Sequence, residues 1–208
     1  SSVTELAGTK NRVTGTQLGR IAMELMDLNP VPVAWSETLD ALRTGLIDGA
    51  ETWASAVAYA NMAPAVTQSV DMGFFCGTEH TGMNAAVFDA MEEHLQDAIM
   101  ESAYLAQVHV QAANEAALVN TVGFTDPPMP GTIFAENDVR VSKFSVEARR
   151  EAEEMCSPEF HPAEWEQWRE RINGWAGGRD TYQEIFDSVR ANNPHTLAEN
   201  VEPRRWWR

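Results

Sequence analysis

The first fifty residues alternate between strand-like and helix-like patterns, and this alternation constrains the fold more than any other feature of the chain. Residues 9–14 form a short β-rich run and residues 31–34 a short apolar run, and both are predicted to be strands. Between them, residues 16–28 form an amphipathic helix pattern, and a second helix is expected from a Ser36 N-cap to Asp48-Gly49. The order strand, helix, strand, helix favours an α/β layer with a largely parallel sheet.

Further elements follow this first block. Val70–Cys76 and Met83–Phe88 are predicted strands, and a long helix is predicted over about residues 90–119. The prolines of Thr125–Gly131 indicate a turn-rich joint. Four later elements are predicted: a strand at 139–141, a helix from a Ser145 cap to Met155, a Trp-rich helix from His161-Pro162 to Trp175, and a last helix over Asp180–Arg190.

The charge of the chain limits its partners. Its 15 basic and 31 acidic residues give a formal charge of −16, which disfavours a nucleic acid partner because such a surface repels phosphate. The same surface repels anionic ligands at long range, so an acid would need a local positive group. Solubility or salt adaptation is the simplest explanation of the charge. The need for a local positive group nevertheless makes Arg12, a lone arginine in an apolar setting, more notable.

Several classes of site are disfavoured by the absence of their motifs. The sequence contains no G-x-S-x-G, P-loop, H-E-x-x-H or G-x-G-x-x-G motif, and it has no His/Cys cluster, so we expect neither a metal nor another cofactor. No apolar stretch approaches the length that spans a bilayer. The sequence leaves open whether Cys76 and Cys156 form a disulfide.

Four short motifs occur in order within the first block. They are L-x-G-x-K-x-R-V (residues 6–13), N-P-V-P (29–32), S-E-x-x-x-A-L-x-T-G (36–45) and D-G-x-E (48–51). Together they resemble the solute-binding proteins of TRAP transporters, the DctP family. The resemblance implies a bilobed α/β, periplasmic-binding-protein-like receptor that is not an enzyme. Such a receptor captures a small organic carboxylate in the periplasm and delivers it to membrane permease subunits.

The resemblance also implies roles for particular residues. Arg12 matches the arginine that holds the ligand carboxylate, and a guanidinium suits this role because its donor fork matches a carboxylate. Trp35 is expected to pack on the ligand's carbon skeleton. From the residues alone, Arg12 paired with a surface acid and Trp35 in ordinary core packing remain open alternatives.

The remaining expected ligand-binding residues are Gly15, Thr52, Trp53 and Phe75. Many family members have Asn-Pro where this chain has Thr52-Trp53, so the ligand is expected to have an apolar or ring-bearing body. His80 is expected at the hinge or rim.

The arginine motif lies near the middle of family members, so the resemblance implies that the first lobe is incomplete here. We expect residues 1–73 to form the second-lobe core and 74–123 to form crossover strands and a long helix belonging partly to the first lobe. Residues 124–191 should pack helices across both lobes, with a tail at 192–208. The chain alone is expected to bind its acid weakly. It is also expected to associate with another copy or with a complementary N-terminal fragment.

Two other classes of function remain open from the sequence. One is an α/β enzyme acting on a carboxylate, with Arg12 as anchor and Glu51 or His80 as acid/base. The other is a fragment that serves only in interactions.

Overall fold

A computed structural model describes residues 2–74 and 80–191 of the chain. It divides into two compact units, described separately below. The first unit comprises residues 1–77 and 115–164, and the second comprises residues 78–114 and 165–208. The four segment boundaries expected from the sequence stay a prediction.

The described residues form both strands and helices. The strands are β1 (Lys10–Val13), β2 (Asn29–Pro32), β3 (Gly49–Ala50), β4 (Gln68–Asp71) and β5 (Arg140–Lys143). The helices are α1 (Gln17–Leu25), α2 (Thr38–Thr44), α3 (Ala54–Tyr59), α4 (Ala85–Asp89), α5 (Glu93–Ala117), α6 (Ile133–Glu136), α7 (Val146–Cys156), α8 (Pro162–Trp175) and α9 (Thr181–Ala191).

The first unit contains a parallel sheet of three strands in the order β2-β1-β3. Helix α1 connects β1 to β2, and α2 connects β2 to β3, so the predicted α/β layer with a parallel sheet is confirmed. Strand β2 contains Pro30 and Pro32, which lack a backbone donor, and it lies at the edge of the sheet where proline is tolerated. The central strand is β1, in which Arg12 pairs with Val31 of β2 and Ala50 of β3.

The main core of the first unit lies against one side of β1. Helix α1 packs against α7, and Met23 and Met26 are 2% and 0% exposed there, together with Val13 of β1. Burying each such side chain contributes about 1.5–3 kcal/mol to the free energy of unfolding. This packing fixes β1, and therefore the position of Arg12, from one face of the sheet.

A second parallel pair, β4 with β5, also belongs to the first unit. The core beside this pair contains Phe134, Val139 and Val141. Helix α3 and the residues that end α5 contribute side chains to the same core. The chain closes α5 with a π-helical turn at Leu118–Val122 and leaves it at Gly123, whose φ is +85°. The predicted long helix is thus confirmed, with its described start at Glu93.

Two helix ends differ from the expectation around α2. A 3₁₀ turn at Trp35–Glu37 precedes the helix, so α2 begins at Thr38 and Ser36 is not its N-cap. The helix ends at Thr44, where Gly45 adopts a left-handed φ of +71°, rather than at Asp48-Gly49. Instead, Gly49 and Ala50 form β3, which pairs with β1 and adds a third strand to the sheet.

The predicted strand at Met83–Phe88 is wrong. Those residues enter helix α4, because the Asn84 side chain accepts a hydrogen bond from the Val87 amide at 3.2 Å and caps the helix. The predicted strand at Val70–Cys76 is confirmed only in its first part, since β4 ends at Asp71 and residues 75 and 76 lie outside the described residues. By contrast, the Ser145 cap of α7 is confirmed, because its hydroxyl accepts from the Ala148 amide.

The second unit differs from the first in burial. It contains α4, most of α5, most of α8 and α9, and none of its described residues is buried. In the parts of the chain that the structure describes, no helix is both long and apolar enough to cross a membrane.

Candidate ligand-binding site

The candidate site lies at one edge of the three-stranded sheet. Because the three strands are parallel, the segments that leave their carboxyl ends lie at the same edge. These segments are residues 14–16 after β1, residues 33–35 after β2 and residues 51–53 after β3. Open α/β sheets bind ligands outside the carboxyl ends of their strands. The expected residues Gly15, Trp35, Thr52 and Trp53 all lie in these segments.

Arg12 is the buried cation of this edge. Only 5% of its surface is exposed, although arginine is rarely buried to this extent. Its Nε donates to the Val33 carbonyl at 3.1 Å, and its Nη1 donates to the Glu51 carbonyl at 3.4 Å. Both acceptors are backbone groups of the segments that follow β2 and β3, so the guanidinium is held from both neighbouring strands.

The rest of the Arg12 fork has no hydrogen-bond acceptor among residues 2–74 and 80–191. No carboxylate in that part of the chain lies within ion-pair distance of it either. The surface-acid alternative for Arg12 is therefore wrong for the described residues. A guanidinium that is pre-oriented by backbone carbonyls and not neutralised by a contact carboxylate suits recognition of an external anion.

Trp35 lies beside this guanidinium. The Arg12 Cζ is 5.3 Å from the centroid of the Trp35 ring, within cation–π distance. Trp35 remains 41% exposed, which is inconsistent with a fully buried core position. One part of Trp35 thus restrains Arg12, and the exposed part is accessible to a ligand.

The charges of Arg12 and Glu51 influence each other. Burial lowers the pKa of Arg12, while the nearby Glu51 carboxylate acts in the opposite direction. Burial raises the pKa of Glu51, and the Arg12 charge opposes that rise. Arginine stays protonated at neutral pH despite such a shift. The edge therefore combines a permanent cation with a half-buried acid.

The other expected residues are placed at the same edge with less detail. Thr52 is half-buried, Trp53 is 60% exposed at the start of α3, and Gly15 is exposed in the loop after β1. No hydrogen bond between described residues joins any of the three to Arg12. Phe75 lies outside the described residues, and His80 is exposed.

The lysine of the first motif has a structural place at the opposite end of β1. The Lys10 Nζ donates to the Gly45 carbonyl at 2.9 Å and lies 3.9 Å from the Asp48 carboxylate. The Lys10 amide also donates to Asp48 Oδ2 at 2.8 Å. These bonds join the amino ends of β1 and β3, so Lys10 aligns the strands instead of facing the candidate site.

Two features of this site could not be read from the sequence. The carbonyls of Val33 and Glu51 orient Arg12, but any residue type could supply a carbonyl. The sequence indicates Glu51 only as a possible acid/base. Its electrostatic interaction with Arg12 depends on the pairing of β3 with β1. The short D-G-x-E motif marks the position of Glu51 in the sequence, but it does not predict that β3 pairs with β1.

A separate concavity of about 240 Å³ lies elsewhere in the first unit. It is shallow and contains none of the expected site residues; its lining is Gln68, Asp126, Pro127, Pro128, Arg140, Val141 and Ser142. Among the residues that the structure describes, no group of three or more His, Cys, Asp or Glu side chains could hold a metal ion. The carboxyl edge of the β2-β1-β3 sheet is therefore the better candidate on chemical grounds.

Solved structures with the same fold are TRAP periplasmic solute-binding proteins. One from Ochrobactrum anthropi, with its C-terminus bound in the ligand-binding pocket, has 16% identity and a TM-score of 0.65, covering 95% of this chain and 57% of its own. One from Desulfovibrio salexigens with bound orotic acid has 17% identity and a TM-score of 0.58, covering 97% and 57%. One from Sulfitobacter sp. NAS-14.1 with bound β-D-galacturonate has 19% identity and a TM-score of 0.57, covering 79% and 54%.

At these identities the structures show a shared fold, and the chain spans just over half their length. A search of curated proteins found no match. The family profile described as "Bacterial extracellular solute-binding protein, family 7" (DctP) matches residues 1–161, which is most of the sequence. The chain therefore belongs to the DctP family of bacterial extracellular solute-binding proteins.

Proposed function

We propose that this chain is part of the extracytoplasmic solute-binding subunit of a TRAP-type transporter and captures a small organic carboxylate. The observation that carries the proposal is Arg12, a buried guanidinium with part of its fork unused at the carboxyl edge of a parallel sheet. A carboxylate is the anion that this planar fork matches with two parallel hydrogen bonds.

The surroundings of Arg12 support an organic acid over a small inorganic anion. The partly exposed rings of Trp35 and Trp53 offer apolar area to a carbon skeleton, and the Thr52 hydroxyl offers a donor and an acceptor. The related proteins from Desulfovibrio salexigens and Sulfitobacter bind orotic acid and galacturonate, which are both carboxylates built on a ring. A ligand with an apolar or ring-bearing body agrees with these features.

The proposal includes the partners and the location that the family implies. The family consists of extracellular solute-binding proteins, which supports a periplasmic location and delivery of the acid to membrane permease subunits. A small ligand needs walls on both sides to bury most of its surface. We therefore include a second wall contributed by a complementary N-terminal segment or another copy, and we expect weak binding by this chain alone.

Substituting Arg12 tests the proposal. Arg12→Lys keeps the positive charge but loses the planar fork, so we expect acid binding to weaken by about 1.5–3 kcal/mol, the scale of a hydrogen bond to a charged group. Calorimetric titrations with orotate, galacturonate and L-malate would measure this, extending into the millimolar range because weak binding is expected.

Arg20→Lys is the matched control. Arg20 is an exposed residue of α1 that lies 3.6 Å from Glu24 and belongs to none of the three edge segments, so the same chemical change there should leave affinity unchanged. Equal affinity of the wild type and the Arg12→Lys variant would refute the role of Arg12. A folded chain that binds no carboxylate at any concentration would refute the proposed function.

A further inference from the structure

Glu51 is held in a fixed place beside Arg12 by its backbone. Its amide donates to the Arg12 carbonyl at 3.1 Å, and its own carbonyl accepts from Arg12 Nη1 at 3.4 Å. The first bond extends the pairing of β3 with β1 by one residue. The position of Glu51 relative to the guanidinium therefore depends on the sheet and not on a mobile loop.

The Glu51 side chain has no evident structural partner. It is half-buried, and within the described ranges 2–74 and 80–191 its carboxylate has neither a hydrogen-bond donor nor an ion-pair partner. Its oxygens are not among the buried side-chain atoms that lack a partner, so water can reach them, and a ligand that displaces this water must supply a donor in its place. A carboxylate of this kind beside a ligand-binding cation is available to a donor from outside.

The charge balance at the edge also affects which acids can bind. Arg12 attracts the carboxylate of a ligand, whereas Glu51 repels it and accepts hydrogen bonds only. An acid with no donor near its carboxylate would meet the repulsion and leave Glu51 unsatisfied. An acid with a neighbouring hydroxyl or ammonium group would give Arg12 an acceptor and Glu51 a donor.

We propose that Glu51 is a specificity-determining residue of the Arg12 site, and that the preferred ligands are carboxylates carrying a hydroxyl or ammonium donor close to the carboxylate. This inference rests on the proposed function, because it assumes that Arg12 binds the carboxylate. It adds a second recognition element, and it predicts discrimination between acids of nearly equal size and charge.

Pairs of acids that differ by one hydroxyl test this inference: L-malate with succinate, L-lactate with propionate, and 2-hydroxyisovalerate with isovalerate. Calorimetry on the full chain should show that at least one hydroxy acid binds tenfold or more tightly than its partner. Glu51→Ala should reduce that ratio to less than about threefold, and Glu51→Gln, which retains a neutral acceptor, should give an intermediate ratio. Glu24→Gln on the exposed face of α1 is the matched control and should preserve the ratio.

The outcomes separate this inference from the proposed function. Arg12-dependent binding of acids with equal affinities within every pair would overturn the role of Glu51 and leave the proposed function standing. A preference for hydroxy acids that persists in Glu51→Ala would also overturn it. If Glu51→Ala fails to fold, the more conservative Glu51→Gln variant keeps the test decisive, because a wild-type preference that Glu51→Gln leaves unchanged overturns the role of Glu51. If no acid binds in an Arg12-dependent way, both proposals fail.

Discussion

Arg12 and Glu51 are charged side chains of the candidate site whose burial costs free energy. Burial disfavours the charged form of each side chain, and each charge partly offsets the cost of the other. Two backbone carbonyls satisfy part of the Arg12 fork and fix its direction. The free-energy cost of burying these charges that remains is typical of functional residues, because a bound ligand would supply the missing hydrogen-bond partners.

The raised pKa of Glu51 predicts a dependence of stability on pH. A carboxyl group whose pKa is higher in the folded state binds its proton more tightly there, so its contribution is most favourable below the unfolded-state pKa. That contribution is lost as the pH rises through the folded-state pKa. Glu51→Gln should therefore stabilise the ligand-free chain at pH 7, and the gain should decrease toward pH 4.

Urea unfolding at the two pH values would measure this difference. Glu24→Gln is a suitable control, because Glu24 is exposed and pairs with Arg20 on the surface of α1. A stability difference between wild type and Glu51→Gln that does not change with pH would contradict the assignment of a buried, charge-disfavouring environment to Glu51.

Elements with strong local signals were predictable, and elements that depend on distant pairing were not. The helical spacing of α1 and the Ser145 cap of α7 gave correct helices, since both signals lie within the element itself. The short apolar run at Met83–Phe88 fits either state, and the Asn84 cap decides for helix. Strand β3 has only Gly49 and Ala50, which have little strand propensity, and it exists because β1 pairs with it.

In the candidate site, too, the features with local signals were predictable and those that depend on distant pairing were not. Arg12 lies in the first motif and Trp35 is expected from the family resemblance, and the structure places the Arg12 Cζ 5.3 Å from the centroid of the Trp35 ring. Their contributions to ligand binding, like those of Gly15, Thr52 and Trp53, stay predictions. The coupling of Arg12 to Glu51 joins residues that are 39 positions apart, so it emerges only when the sheet is assembled.

The turn that ends α5 depends on a glycine. Gly123 leaves the π-helical turn with φ of +85°, and a Cβ there would overlap the buried Thr132 side chain. Gly123→Ala should therefore lower the free energy of unfolding by about 1–3 kcal/mol, from left-handed strain together with overpacking. Thermal or urea unfolding would measure the loss.

Gly174 provides the matched control for this substitution. It lies within α8, has no positive φ, and a Cβ there would meet nothing within 4 Å. Gly174→Ala should be neutral or stabilising by about 0.5–1 kcal/mol because alanine favours the helix. Equal effects of the two substitutions would show that the turn after α5 does not require glycine.

For the whole molecule, the two units differ in how much of their surface they bury. The described buried residues all belong to the first unit, which also contains the candidate site. In the second unit, large apolar side chains remain exposed on α5 and α9: Leu95, Leu105, Val108, Val110, Ile185 and Val189. Exposed apolar area of this kind favours association with another surface.

If Arg12 at the carboxyl edge of the sheet holds the carboxylate of an organic acid, a crystal structure of the chain with bound L-malate or galacturonate should show that contact. We expect carboxylate oxygens about 2.7–2.9 Å from the Arg12 guanidinium nitrogens, with the carbon skeleton against Trp35. An acid bound elsewhere, for example beside Arg140 in the separate concavity, with Arg12 still bonded only to the Val33 and Glu51 carbonyls, would contradict it.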